Sequence, residues 1–430
     1  MAEVADASSL EAAQPLVSTS AEDSPKPRLS WKCPLYCCGC TVCSLALLLA
    51  LGLYAIVKIG AESGVAVFVT INDTKVQEFC HQGLTMDNIT FNNWWPGCGY
   101  EEVTQSCTHP CYNASILEDM DAFNKNANGS IVTYQSRPGT SYDGSPIGVV
   151  DLAGWWLPAP GDSPASPAPR IVLQHGFTSN SNKLFPQFAA YMLRSLGFSV
   201  LVPNFRDHCY SGNTSEHVYQ WSNAYPYDLL GAWDYARMDP EGLLGGPRDT
   251  GQVGLMGFSK GSFVSCIAFG LEGSVPAAWL DSGPWKPKSV FEHGARQTLD
   301  GWGIGFASDI LIGPTWDAVK KAALEKGVDL DWQLPEHTLP TGPDTMRPVY
   351  ILQNMDDETV PVAENYLLRD MLAKYPEKYT VAGDWVFTGK CHGGAHLFEM
   401  FRSYTEYRDQ LCSFWSAAFG LGESHCKKYA

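Results

Sequence analysis

The apolar run Val253-Gly-Leu-Met256 leads straight into Gly257-Phe258-Ser259-Lys260-Gly261, and a helical pattern continues from there to about Gly270. A strand that becomes a helix within five residues must turn sharply. The flanking glycines permit it, because the turn is strained and neighbouring backbone passes too close for a Cβ. The serine then stands at a helix start, where unpaired N–H groups favour negative charge. A bare Gly-x-Ser-x-Gly says little in a chain with 40 glycines; its strand–turn–helix setting gives it weight.

The rest of the chain from about Ser130 repeats that alternation. Strand-like runs are read at Ile147–Leu157, Arg170–Gln174, Ser199–Pro203, Ala277–Leu280, Pro348–Gln353 and Tyr379–Phe387. Helical runs are read at Leu184–Ser195, Tyr225–Arg237 and Leu397–Phe419. Strands alternating with helices predict an α/β fold, a mostly parallel sheet flanked by helices. The net charge of -17 excludes the basic footprint that nucleic-acid binding needs.

The chain before Ser130 is organised differently. Residues 1–32 are small, polar and acidic, and read as a disordered tail. Cys33 to Val57 carries no charged residue, long enough for one transmembrane helix, and residues 33–60 are assigned to it with its cysteine-rich edge. Lys26, Arg28 and Lys32 precede the span, so the N-terminus is expected in the cytosol and the remainder in the lumen or outside the cell. A cleavable signal peptide is the rival reading, but its apolar run would begin nearer Met1. Asn72, Asn88, Asn113, Asn128 and Asn213 each begin an Asn-X-Ser/Thr sequon, all after the span, which agrees with that topology.

Cysteines divide the same way. Cys37, Cys38 and Cys40 crowd the cytosolic edge of the span, where juxtamembrane cysteines suit S-palmitoylation; the spaced ligand pairs of a zinc site are not there. Nine more follow the span, an odd number in an oxidising compartment, and Cys266 on a buried helix position is the expected free one. Residues 61–129 read as a disulfide-stapled, glycosylated extension with no chemistry of its own.

Three further segments carry chemistry. His175-Gly176-Phe177-Thr178 ends an early strand. Acyl transfer to a serine needs two N–H groups aimed at the developing oxyanion; Lys260 supplies one and Phe177 the other, which leaves His175 structural. Asp356-Asp357-Glu358 follow the strand at Pro348–Gln353, and any of the three could orient an imidazole. The loop Gly389-Lys-Cys-His392-Gly-Gly-Ala-His396 offers two histidines.

With those residues in view, the chain resembles the α/β-hydrolase superfamily over about Ser130 to Phe419, nearest its serine-aminopeptidase-like and monoglyceride-lipase-like members. The stretches that carry the resemblance are Gly154-Trp155-Trp156-Leu157-Pro158, Leu173-Gln-His-Gly-Phe177, Asn204-Phe-Arg-Asp-His-Cys-Tyr-Ser-Gly212, the serine turn, and Asp357-Glu-Thr-Val-Pro361. The resemblance implies an α/β-hydrolase fold over residues 130–422 with a helical cap insertion at about 284–346, preceded by the transmembrane helix. It selects Asp357, four residues before the Val-Pro proline, and His396, close to the last helix, to complete a triad with Ser259. It implies no metal and no cofactor. Arg206-Asp207-His208-Cys209 departs from the family's usual Arg-Gly-His-Gly, which affects loop shape.

The cap holds Trp285, Trp302, Trp316 and Trp332 with Phe291 and Phe306, either an apolar roof over Ser259 or the cap's own small core. The expected activity is that of a membrane-anchored serine esterase, lipase-like, acting on a small-molecule or lipid ester. A serine peptidase with the same triad is the second reading, and a non-catalytic binding ectodomain on the same fold the third.

Overall fold

The computed structural model describes residues 35–80, 129–389, 395–422 and 424–429. Asn88, Asn113, Asn128, Cys98, Cys107, Cys111, Cys391 and His392 lie outside them.

One sheet organises the larger part of the chain. Its strands are β1 (Ser130–Gln135), β4 (Asp151–Leu157), β5 (Arg170–Gln174), β6 (Ser199–Pro203), β7 (Val253–Phe258), β8 (Ala278–Asp281), β9 (Arg347–Asn354) and β10 (Tyr379–Phe387). The short β2 (Gly139–Thr140) and β3 (Pro146–Ile147) form a separate antiparallel pair. The sheet order is β1-β4-β6-β5-β7-β8-β9-β10. Pairing is antiparallel for β1/β4 and β4/β6 and parallel from β6 to β10.

The parallel strands read as continuous apolar runs because helices cover both faces. In β5, Val172 joins the core on one face while Ile171 and Leu173 join the other. Helices Leu184–Ser195, Tyr225–Met238 and Lys260–Leu271 follow β5, β6 and β7. The long helix expected at Leu397–Phe419 is two, Glu399–Arg402 and Tyr404–Ala418, broken at Ser403, which leaves the helical region at φ -116°, ψ 48°.

Between β8 and β9 the cap comprises helices Pro287–Gly301 and Ser308–Glu325 with a short helix Pro335–Thr338. Its aromatic residues do not share one role. Trp285, Phe291 and Trp316 are buried in the core, Trp332 is half-buried, and Trp302 and Phe306 are exposed. Core packing therefore accounts for the first three and not for Trp302 or Phe306.

The helix before the sheet runs from Leu35 to Phe68, 34 residues or roughly 50 Å. It continues past Lys58, where the uncharged run ends. Its window Leu51–Phe68 has a mean hydropathy of 1.5 with only 11% of it buried, so by length and composition it can cross a membrane. Its last turns pack on the cap: a methyl group placed on Gly60 would sit 3.0 Å from Thr315 Cγ2, and one on Gly64 2.5 Å from Val319 Cγ2.

Residues 69–80 are built into the sheet domain instead of starting a self-contained extension. Thr70 bridges Val218, Tyr219 N–H donates to Val69 O at 2.9 Å, and Cys80 is disulfide-bonded to Cys209. Cys412 pairs with Cys426, and Cys266 is free and buried on the helix after Ser259. Asn72 and Asn213 are exposed, as a glycan acceptor must be.

Candidate active site

Ser259 follows β7 with φ 53° and ψ -122°, a conformation a non-glycine residue holds only when its surroundings enforce it. Both flanking glycines are required. A Cβ on Gly257 would lie 2.4 Å from Gly261 O, and one on Gly261 2.3 Å from Gln174 O. The turn is tied to β8, since Ser259 N–H donates to Asp281 O at 2.8 Å. Ser259 heads the helix Lys260–Leu271.

The loop after β5 lies against this turn. A Cβ on Gly176 would fall 3.2 Å from Ser259 Cβ. Phe177 is half-buried beside it, and His175 is fully buried with Nδ1 3.0 Å from Gly176 O. Burial pushes His175 down to about 3, so it stays neutral and does not act as a proton carrier near neutral pH.

The carboxylates after β9 separate by position. Asp356 Oδ2 accepts Gly389 N–H at 2.7 Å and so holds the loop after β10. Glu358 is exposed. Asp357 is buried, and four donors converge on it. Thr359 N–H (2.8 Å) and Val360 N–H (2.9 Å) meet Oδ1, while Gln353 Nε2 (3.0 Å) and His396 Nδ1 (2.7 Å) meet Oδ2. Burial works to raise the Asp357 pKa, but the His396 charge and these hydrogen bonds outweigh it and hold the group below its ordinary value. Burial likewise works to lower His396, and the Asp357 carboxylate, with Asp281 behind it, outweighs that and raises it. Only 20% of the His396 side chain is exposed.

Two features escaped the sequence. Asp281, at the end of β8, is buried with its carboxylate accepting from Tyr407 Oη (2.7 Å) and Ser282 Oγ (2.8 Å). Burial pushes it up to about 7, with the charge on Asp357 adding and the hydrogen bonds and His396 opposing. Nothing local marks this aspartate, since the Tyr407 that meets it lies 126 residues away. The second is the burial of the Lys260 side chain. It is 1% exposed, and its Nζ lies 4.6 Å from the ring centres of both Tyr219 and Tyr225, 5.0 Å from Phe205 and 5.2 Å from Phe177. Burial pushes its amine well below the ordinary range.

The departure at 206–209 has a structural account. Asp207 and Cys209 both have left-handed φ, 62° and 50°, where glycine would be unstrained. Asp207 is held there by Thr214 N–H (2.6 Å) and Thr214 Oγ1 (2.8 Å), and Cys209 by its bond to Cys80. Arg206 forms a buried ion pair with Asp228 at 2.7 Å.

The end of the long helix and the segment after it meet the loop after β5 directly. Phe68 stacks on Trp221 at 5.7 Å and lies 6.4 Å from Phe177, 5.8 Å from Phe291 and 6.2 Å from Trp316. Asn180 Nδ2 donates to Val76 O and Glu78 O at 3.0 and 2.9 Å. Among the described residues no group of His, Cys, Asp and Glu is placed to hold a metal ion.

No family model matches the chain, and no curated protein does. Solved structures similar to it include an esterase of Pyrococcus furiosus, at 17% identity over 68% of this chain and 93% of that one, TM-score 0.43. A puromycin-hydrolyzing peptidase of Mycobacterium tuberculosis is 21% identical over 66% of this chain and 40% of its own, TM-score 0.44. An acylaminoacyl peptidase of Pyrococcus horikoshii is 16% identical over 69% and 42%, TM-score 0.45.

Proposed function

We propose that the chain is a membrane-anchored serine hydrolase that cleaves carboxylic esters of apolar or lipid-like acids. The observation that carries this reading is the buried Asp357 carboxylate. It is fully occupied by donors and lies 2.7 Å from His396 Nδ1, after β9, at the same C-terminal end of the parallel strands as the strained serine turn after β7. An aspartate so placed fixes the imidazole with its proton on Nδ1 and leaves Nε2 free to accept one.

In the proposed reaction Ser259 Oγ attacks the ester carbonyl carbon and His396 Nε2 takes its proton. The oxyanion is met by the N–H groups of Lys260 and Phe177. Collapse expels the alcohol, which takes the proton from His396, and leaves an acyl group on Ser259. Water, deprotonated by His396, then releases the acid. Ester chemistry is favoured over peptide cleavage by the surroundings. Phe68, Phe177, Trp221 and Phe291 are the contacts beside the loop, and the Lys260 amine next to Ser259 is enclosed by rings, unable to hold a peptide terminus.

Labelling with a fluorophosphonate tests the reading. The wild-type chain should label and hydrolyse p-nitrophenyl esters, and Ser259→Ala should do neither while keeping its far-UV circular dichroism. Equal labelling of both would refute the assignment.

A further inference from the structure

The exposed aromatic residues of the cap lie where the helix Leu35–Phe68 enters the sheet domain. Gly60 packs on Thr315 and Gly64 on Val319, so this helix and Ser308–Glu325 run in the same direction, residue for residue. Ile310, five residues before Thr315, therefore falls at about the level of Ala55. The helix Pro287–Gly301 gives an independent register. A Cβ placed on Gly64 would lie 3.1 Å from its Phe291, and the two cap helices run antiparallel, Phe291 against Trp316 and Arg296 against Asp309, so Trp302 falls about 11 residues back, near Leu53. Phe306 lies in the turn between them, at the same end.

Trp302 is 66% exposed, Phe306 88% and Ile310 65%, beside Tyr54 at 67% on the long helix. Large apolar groups exposed together mark a contact with an apolar phase or a partner. If the span ends near Val57, where the uncharged run ends, these residues sit roughly 3–6 Å inside it. That is the depth at which interfacial aromatic residues rest. Charges limit the depth. By the same register Asp309 falls near Tyr54 and Asp300 near Ala55, level with Ile310, so these carboxylates, Asp309 paired with Arg296 at 2.9 Å, keep the contact shallow.

We propose that the cap tip formed by Trp302, Phe306 and Ile310 dips into the lumenal or outer leaflet of the bilayer that holds the long helix. The occupant of this surface is lipid. The inference rests on the membrane-anchored reading and adds to it a second, shallow contact that fixes the cap against the membrane surface. An ester held in that leaflet is then presented to the cap from the lipid side.

Photocrosslinking distinguishes the two levels. The full-length chain carries p-benzoylphenylalanine at Phe306, Tyr54 or Asp344, one site at a time, in phosphatidylcholine vesicles with an alkyne on the lipid. Tyr54 reports the anchor, and Asp344, on the loop before β9, reports the aqueous side. The expected result is a lipid adduct at 306 and 54 and none at 344. An adduct at 54 without one at 306 overturns the proposal and leaves the anchor standing. No lipid adduct at 54 removes the anchor reading, and the proposal with it. A protein–protein adduct of twice the chain mass from 306 overturns it in favour of contact between copies.

Discussion

Asp357→Asn should abolish most of the activity through the tautomer of one histidine. The four donors around Asp357 leave the asparagine two orientations. Placing Nδ2 where Oδ1 stood sets it against Thr359 N–H and Val360 N–H, which are backbone and cannot turn. Nδ2 must then replace Oδ2, against Gln353 Nε2 and His396 Nδ1. Gln353 cannot simply flip, because Nε2 also donates to Val360 O at 2.9 Å. The amide proton facing His396 makes Nδ1 the acceptor and puts the ring proton on Nε2, the atom that has to receive the Ser259 proton. A wrong tautomer of this kind costs about 10⁴ in kcat, or about 5.4 kcal/mol of transition-state stabilisation. The unsatisfied Gln353 donor should cost about 1–3 kcal/mol of stability, which lowers Tm without unfolding the protein. The assay is steady-state hydrolysis of p-nitrophenyl butyrate together with the rate of fluorophosphonate labelling, both on protein whose folding is checked by thermal melting. A folded variant within tenfold of wild-type kcat would refute the reasoning.

Three other outcomes follow from the same geometry. The proposed reaction needs neutral His396, and the Asp281 carboxylate raises its pKa, so Asp281→Asn should move the acid limb of the kcat/KM profile to lower pH; an unmoved or upward-shifted limb counts against it. Lys260→Met keeps length and the backbone N–H but removes a buried amine that only ring faces surround, so Tm should rise while kcat stays within a few-fold, and a fall in Tm measured by calorimetry would mean the cage holds a charge worth more than its desolvation. Phe68→Ala removes the ring packed on Trp221, Phe177, Phe291 and Trp316, and should cost about 3–5 kcal/mol in denaturant unfolding and lower kcat more than it raises KM, because Phe177 loses its support; a change in KM alone would place Phe68 in substrate binding instead.

Where local pattern and final environment agree, the chain could be read directly. Arg170–Gln174, Ser199–Pro203 and Leu184–Ser195 stand as expected because each is an apolar stretch bounded by turn residues and buried along its length. The serine turn was legible for the same reason, since its glycines answer a steric demand within five residues. The uncharged run also marked an apolar helix, but not its end. Lys58 and Glu62 look like a boundary in sequence, yet the helix passes them to Phe68 because Gly60 and Gly64 let it pack closely on the cap. What the sequence left open depended on contacts between distant segments. Asp356, Asp357 and Glu358 are equivalent by local pattern; the family resemblance selects Asp357, but the physical reason is His396, 39 residues away. Cys80 finds Cys209 across 129 residues, the cap's tryptophans divide into buried and exposed, and Lys260 closes into rings supplied by the connections after β5 and β6. Periodicity and turn chemistry act over a few residues, whereas a side chain's burial and partners belong to whatever the tertiary structure brings beside it.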